Sequence, residues 1–116
     1  MPIPMFKRRH TMDVVEAFAG QAAGRLVLVD VREGSERARG FAPGSRHPPL
    51  SGLKQRLGEL PSDRPVAFIC QSGRRSAMAA TAARRAGIDA RNVAGGMSAW
   101  ERRGLDVATG THRRVT

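Results

Sequence analysis

Cysteine, tyrosine and long apolar runs are scarce or absent in this sequence of 116 residues. A single cysteine, Cys70, excludes a disulfide within the chain, and a reactive thiol is best preserved in a reducing cytoplasm. Hydrophobic residues make up 41% of the sequence, and no apolar run approaches the roughly 18 residues of a membrane span. Met1 is not followed by the apolar core of a signal peptide. We therefore expect a cytoplasmic protein without a membrane partner.

Acidic and aromatic residues are also few. The chain has 20 basic residues, eighteen of them arginine, against 10 acidic ones, which gives a formal net charge of +10. Such a charge raises the hypothesis of a nucleic-acid partner. However, the arginines are spread along the whole chain and aromatics are only 4% of it, so no stacking platform is evident. We expect no nucleic-acid partner and interpret the positive field as an attraction for small anions.

The length and the alternation of apolar and polar segments indicate one α/β domain over residues 1–116. We expect its core at about residues 5–105 and a loose tail at residues 106–116. Residues 5–8 are predicted to form a first strand, and Thr11 to cap a helix that extends to about Gly20. The nearly continuous apolar run at residues 26–31 is typical of a strand covered on both faces of a parallel sheet.

The most informative stretch is Cys-Gln-Ser-Gly-Arg-Arg-Ser at residues 70–76. It follows the apolar run 66–69, which predicts a buried strand, and precedes an alanine-rich segment, 77–86, which predicts a helix. Cys70 is therefore expected at the carboxyl end of a strand, in the turn that leads into a helix. In open α/β sheets ligands bind in the crevice beyond those strand ends.

The chemistry of this turn follows from its residues. The first N–H groups of a helix have no intrahelical partner, and a turn centred on Gly73 can direct several of them toward one anion. Those N–H groups, together with Arg74 and Arg75, would lower the pKa of the Cys70 thiol and favour the nucleophilic thiolate. The alternative interpretation is a small buried residue that only ends a core strand.

Cys-x-x-Gly-x-Arg-Ser between a strand and a helix resembles the active-site loop of the rhodaneses, the thiosulfate sulfurtransferases. Three further segments resemble rhodanese signatures in the same order: Leu-Val-Asp-Val-Arg-Glu at 28–33, Gly-Phe-Ala-Pro-Gly-Ser at 40–45, and Gly-Gly-Met-Ser-Ala-Trp at 95–100. The resemblance implies a three-layer rhodanese-like fold, in which a five-stranded parallel sheet carries helices on both faces.

The resemblance also implies a mechanism in which the Cys70 thiolate takes a sulfane sulfur from thiosulfate or a related anion. Cys70 then carries a persulfide, and a thiol or cyanide acceptor removes the sulfur, without a metal or an organic cofactor. A sulfur-accepting protein is a further expected partner, and we expect a monomer. The loop residues implied to bind the substrate are Gln71, Ser72, Gly73, Arg74, Arg75 and Ser76.

Asp30 and Arg32, in the first signature, are expected to support the site. We interpret Asp30 as a structural partner of Arg32, because a carboxylate in contact with the thiolate would raise the pKa of the thiol. Phe41 and Ala42 stand where the family usually has His and Ile, which bears on packing in that loop. His47 ends a short predicted edge strand, 45–47, and is interpreted as a surface residue.

Two alternatives belong to other functional classes. A phosphatase or arsenate reductase also places Cys and Arg around an anion-binding loop, but the related cell-cycle phosphatases have five residues between them, whereas four separate Cys70 from Arg75. A non-catalytic rhodanese module that binds a protein partner is the second alternative. The complete cysteine loop argues against it.

Overall fold

The computed structural model describes residues 10–48 and 50–109, which form a parallel sheet with helices on both faces. The strands are β1 (Thr11–Met12), β2 (Val27–Asp30), β3 (Val66–Ile69) and β4 (Ala90–Val93). Their order across the sheet is β1-β4-β3-β2, and every pair is parallel. The helices are α1 (Val14–Ala22), α2 (Gly34–Ala38), α3 (Leu50–Arg56) with a 3-10 turn at Leu57–Glu59, α4 (Arg74–Arg85) and α5 (Gly96–Arg102).

Two hydrophobic cores lie on opposite faces of the sheet, because successive side chains of a strand point to opposite faces. On one face Leu28 and Ile69 pack with residues of α1 and α5, including Trp100. On the other face Val29 and Phe68 pack with alanines of α4 and with residues of α3. This confirms the α/β fold class with its three layers.

The described residues contain four strands where we expected five. In the predicted edge strand, 45–47, only Arg46 pairs with the sheet, through an isolated parallel bridge to Val29. The Asp30 N–H donates to the Arg46 carbonyl at 2.8 Å and the Arg46 N–H to the Leu28 carbonyl at 2.9 Å. Pro48 follows directly and has no N–H to extend the ladder. The first strand expected at residues 5–8 lies outside the described residues.

The start of α1 differs from the prediction that Thr11 is its cap. Thr11 is in β1, because the carbonyls of His10 and Met12 accept hydrogen bonds from β4 and the residue after it. Asp13 caps α1: its Oδ1 accepts the Glu16 N–H at 2.9 Å, and Glu16 Oε1 accepts the Asp13 N–H at 3.1 Å. This reciprocal pair is a capping box.

The segment after α5 is held against the domain, although we expected residues 106–116 to be loose. The Trp100 indole N–H donates to the Asp106 carbonyl at 2.7 Å. Phe41 and Ala108 exchange two backbone hydrogen bonds of 2.8 Å. Residues 110–116 lie outside the described part of the chain. Among the described residues, no helix has the length and apolar character needed to cross a membrane.

Candidate active site

The candidate site lies where β3 ends and α4 begins, as the sequence predicted. Cys70 follows the last residue of β3, and the turn reaches Gly73, whose φ of 104° is a left-handed conformation that favours glycine. A Cβ atom at Gly73 would lie 3.3 Å from the Gly95 N atom, so the position is also crowded. The loop is compact because a residue without a side chain occupies its centre.

Three hydrogen-bond donors surround the sulfur of Cys70. Its Sγ accepts the Gly73 N–H at 3.1 Å, the Ser76 N–H at 3.4 Å and the Ser76 hydroxyl at 3.3 Å. Burial raises the pKa of the thiol, but these donors and the Ser72 N–H together outweigh burial, so the pKa of Cys70 is lowered. The geometry therefore favours the thiolate.

The other side of the loop is fixed by the start of α5. The Met97 N–H donates to the Cys70 carbonyl at 2.8 Å, and the Ser98 N–H donates to the Gln71 carbonyl at 3.0 Å. A Cβ atom at Gly96 would overlap that Cys70 carbonyl oxygen. The carbonyls of Cys70 and Gln71 are therefore bound by α5, whereas the N–H groups of Gly73 and Ser76 are directed at Sγ.

The two arginines of the loop differ in their partners. Arg75 donates to both carboxylate oxygens of Glu36, at 2.7 and 2.8 Å. This contact holds the pKa of Glu36 at about 2, chiefly through its hydrogen bonds to the guanidinium, and raises the pKa of Arg75, which also interacts with Cys70. Arg74 is exposed and has no ion-pair partner within the described residues. The sequence predicted that both arginines act on the thiol and the substrate, but it did not predict the ion pair with Glu36.

Behind the loop, Arg32 connects the first signature to the cysteine loop. Its guanidinium and its backbone N–H bind the carboxylate of Asp30 at 2.9–3.2 Å. The same guanidinium donates to Gln71 Oε1 at 3.2 Å, and Gln71 Nε2 donates to Ser98 Oγ at 3.0 Å. Asp30 has no exposed surface, and it contacts Arg32 rather than the thiol. Both ends of the Gln71 amide are therefore engaged by the protein.

The segment between β2 and Arg46 packs around this ion pair. Arg37 donates to Asp30 Oδ2 at 3.2 Å, and its guanidinium stacks 3.9 Å from the centre of the Phe41 ring. Phe41 and Ala42, which replace the usual His and Ile, are both buried. His47 is half-buried rather than at the surface, and its Nε2 lies 2.7 Å from the Arg32 carbonyl.

Of the residues predicted from the sequence, Cys70, Gly73 and Ser76 meet at the sulfur, whereas Asp30 and Arg32 lie behind the loop. Two further residues contact the site but were not predicted from the sequence, Glu36 and Asn92. Each is far from its partner along the chain, so no local signal marks it. The described residues hold no group of three or more His, Cys, Asp or Glu side chains placed to bind a metal.

A family profile described as the rhodanese-like domain matches residues 13–103. The chain belongs to the rhodanese family. A sulfurtransferase of Allochromatium vinosum is 36% identical over 83 residues, which are 71% of this chain and 78% of that protein. The Bacillus subtilis protein YqhL is 43% identical over 74 residues, which are 63% of this chain but 59% of YqhL.

Solved structures show the same fold. A rhodanese-related protein of Thermoplasma volcanium superposes with a TM-score of 0.79 at 27% identity, over 85% of this chain and 97% of that one. Family membership and the relative named as a sulfurtransferase support sulfur transfer as the general chemistry of this rhodanese.

Proposed function

We propose that this rhodanese moves a sulfane sulfur from thiosulfate, or a similar small anion, to cyanide or a thiol through a persulfide on Cys70. The observation that supports it best is the set of three donors on Cys70 Sγ, which stabilise a thiolate at the end of β3. A sulfur-accepting protein would serve as the acceptor in the same way as a small thiol. A cytoplasmic location and a monomeric state are part of the proposal.

In the first step the Cys70 thiolate attacks the outer sulfur of thiosulfate. A new S–S bond forms at Sγ, the bond between the two sulfurs of thiosulfate breaks, and sulfite leaves with the electron pair of that bond. No net oxidation of the protein and its donor together occurs. The N–H groups of Gly73 and Ser76 that held the thiolate can then stabilise the negative charge of the persulfide.

In the second step the acceptor attacks the outer sulfur of the persulfide. The S–S bond breaks, thiocyanate or a new persulfide forms, and the Cys70 thiolate is regenerated as the leaving group. This is covalent catalysis of the ping-pong type. The donors that lower the pKa of Cys70 also make it a good leaving group, so the same geometry serves both steps.

The sulfur donor would approach Cys70 from the side of Arg75. Cys70 has no exposed surface, whereas Arg75, which interacts with it, is 35% exposed. We propose that this side chain moves to give the donor access to the sulfur. Arg75 uses two of its five N–H groups on Glu36, which leaves others for Cys70 and for the sulfonate end of the anion. Arg74 contributes an exposed positive charge at the entrance.

The decisive experiment replaces the nucleophilic sulfur of Cys70 by an oxygen atom. Cys70→Ser should abolish transfer from thiosulfate to cyanide and leave the thermal unfolding midpoint nearly unchanged, since the two side chains are similar in size. Mass spectrometry of the parent protein after thiosulfate treatment should show one added sulfur atom on Cys70. Substantial sulfurtransfer by the serine variant would contradict the mechanism.

A further inference from the structure

The hydroxyl of Ser76 has one proton and two neighbouring acceptors. Its Oγ lies 3.3 Å from Cys70 Sγ and 2.5 Å from Asn92 Oδ1. A hydroxyl donates only one hydrogen bond, so it cannot serve both acceptors at once. When it donates to Asn92, the sulfur loses this hydroxyl donor but keeps the backbone N–H groups of the loop, including those of Gly73 and Ser76.

Asn92 is placed to change this hydrogen bond. Its backbone is fixed in β4, where its N–H donates to the His10 carbonyl at 2.7 Å. Its side-chain Nδ2 has no hydrogen-bond partner among the residues that the structure describes. Rotation of the amide about its last torsion would therefore exchange Oδ1 and Nδ2 at Ser76 without breaking a second hydrogen bond within that part of the chain.

We propose that Asn92 is a positioning residue that directs the Ser76 hydroxyl to Cys70 when the thiol loses its proton. With the neutral thiol, the hydroxyl donates to Asn92 Oδ1. With the thiolate, the amide is turned, Nδ2 donates to Ser76 Oγ, and the hydroxyl donates to Sγ. The proton of Cys70 leaves to water, and no other group changes its charge. Asn92 thereby sets how much of Cys70 is thiolate before any sulfur donor binds.

Other charged groups near Cys70 act through different contacts. Arg75 of α4 interacts with the sulfur, and Glu36 of α2 neutralises that guanidinium. From behind the loop, Arg32 binds Gln71 and is itself paired with Asp30. Arg74 is exposed, and on β4 the charged neighbour of Asn92 is Arg91, which pairs with Asp89. The α5 residues that bind the loop, Met97 and Ser98, are uncharged.

The test measures the pKa of Cys70 from the pH dependence of thiolate absorbance, with Cys70→Ser as the blank. In Asn92→Asp the carboxylate can only accept, so it retains the Ser76 proton. We expect the pKa of Cys70 to rise by roughly one to two pH units, because one hydrogen bond to a charged group is lost. In the Ser76→Ala background the same substitution should raise the pKa by less than half of that amount.

A matched control separates the hydrogen bond from the change in net charge. Arg91→Gln alters the net charge by the same amount one residue away and should leave the pKa of Cys70 unchanged. Asn92→Ala is a second variant in case the aspartate variant does not fold. It removes the Asn92–Ser76 hydrogen bond from both protonation states, so the pKa of Cys70 should change by less than in Asn92→Asp, and it should not change when Ser76 is absent.

Two results would overturn the proposal. One is an equal rise of the pKa with and without Ser76, because the added carboxylate would then act through space alone. The other is a change of the pKa in Asn92→Ala that persists when Ser76 is absent. The inference concerns the site of the proposed sulfurtransfer, but the measurement needs no sulfur donor or acceptor. Its failure is therefore distinct from a failure of that function.

Discussion

Two neighbouring parallel strands, β2 and β3, end at the same edge of the sheet and continue into very different loops. Asp30, the last residue of β2, binds Arg32 and Arg37 from the loop that follows the strand. After β3, residues 70–76 direct backbone N–H groups at one sulfur atom. One loop surrounds a buried carboxylate with arginines, whereas the other offers its donors to a reacting atom.

The comparison shows how a small domain holds donors ready for chemistry. N–H groups aimed at a reacting atom can keep their position only if other contacts fix the backbone that carries them. Here Arg32 binds Gln71 from one side, and α5 binds the carbonyls of Cys70 and Gln71 from the other. The loop after β2 and the start of α5 therefore fix the backbone of the cysteine loop, whose N–H groups remain directed at the sulfur.

The strongest disruption of the cysteine loop should come from Gly96→Ala. The new Cβ would overlap the Cys70 carbonyl, and the φ of 55° disfavours any side chain. We expect a loss of about 4 kcal/mol or more in the free energy of unfolding, together with a raised pKa of Cys70. Chemical denaturation and thiol titration measure the two effects. Gly104→Ala is the control, since its φ of 71° is similar but its Cβ would meet nothing within 4 Å. A similar loss in both variants would disprove the close-packing explanation.

Asp30→Asn should destabilise the loop after β2 and lower the free energy of unfolding. The substitution leaves the charge of Arg32 buried without its carboxylate, and removing one partner of a buried ion pair costs about 3–5 kcal/mol. Denaturant unfolding gives the free energy. Asp89→Asn removes an exposed carboxylate at 3.3 Å from Arg91 and should cost about 1 kcal/mol or less. Equal costs would mean that the Asp30 pair is no more important than a surface contact.

Arg75→Ala tests the anion site of the cysteine loop. Losing a charge-assisted contact with the sulfonate should lower kcat/KM for thiosulfate by roughly 10- to 150-fold, or about 1.5–3 kcal/mol. Arg102→Ala, on the last turn of α5, removes the same charge away from the loop. Steady-state kinetics of both variants decide the matter: equal losses would favour a general positive field over a specific contact.

The smallest expected effect belongs to Glu36→Gln, which keeps the shape of the side chain and removes its charge. A freer Arg75 should lower KM for thiosulfate by up to about fivefold, corresponding to about 1 kcal/mol. Because the pKa of Glu36 is about 2, it stays ionised throughout the neutral range, and the effect should not vary between about pH 5 and 8. Glu33→Gln, one turn earlier and exposed, should leave KM unchanged.

The same ion pair has a defined pH dependence of stability. The pKa of Glu36 is lower in the folded protein than its ordinary 4.5, so the stabilisation is complete above that value and is lost as the pH falls toward 2. Acid unfolding of Glu36→Gln should lack this component. If the parent protein and Glu36→Gln unfold with the same acid profile, the Glu36–Arg75 pair adds nothing to stability.

Local sequence patterns were sufficient for the reacting loop but not for its surroundings. The apolar run of β3, Gly73 and the alanines of α4 each specify their own backbone, so the position of Cys70 could be predicted. The start of α1 was predicted wrongly at Thr11, although Asp13 and Glu16 have the spacing of a capping box. Pairing of Thr11 with β4 is a long-range contact that outweighs the local preference.

The partners of the site could not be predicted from the sequence, since they join residues remote along the chain. Glu36 and Arg75 are 39 positions apart, and Ser76 and Asn92 are 16 apart. Only the parallel arrangement of β2, β3 and β4 brings them together. A glutamate in a polar turn and an asparagine in a strand have no feature of their own that marks them as part of a site.

The placement of Trp100 gives the protein an internal optical reporter. The chain has one tryptophan and no tyrosine, so its near-ultraviolet emission comes from this indole alone. The Trp100 ring is buried and packs edge-on against Phe18 of α1. Trp100 itself lies on α5, the helix whose first N–H groups bind the Cys70 loop. If formation of a persulfide displaces the Cys70 loop, α5 and its Trp100 should move with it. Fluorescence of the unlabelled protein could thus follow each half-reaction in real time.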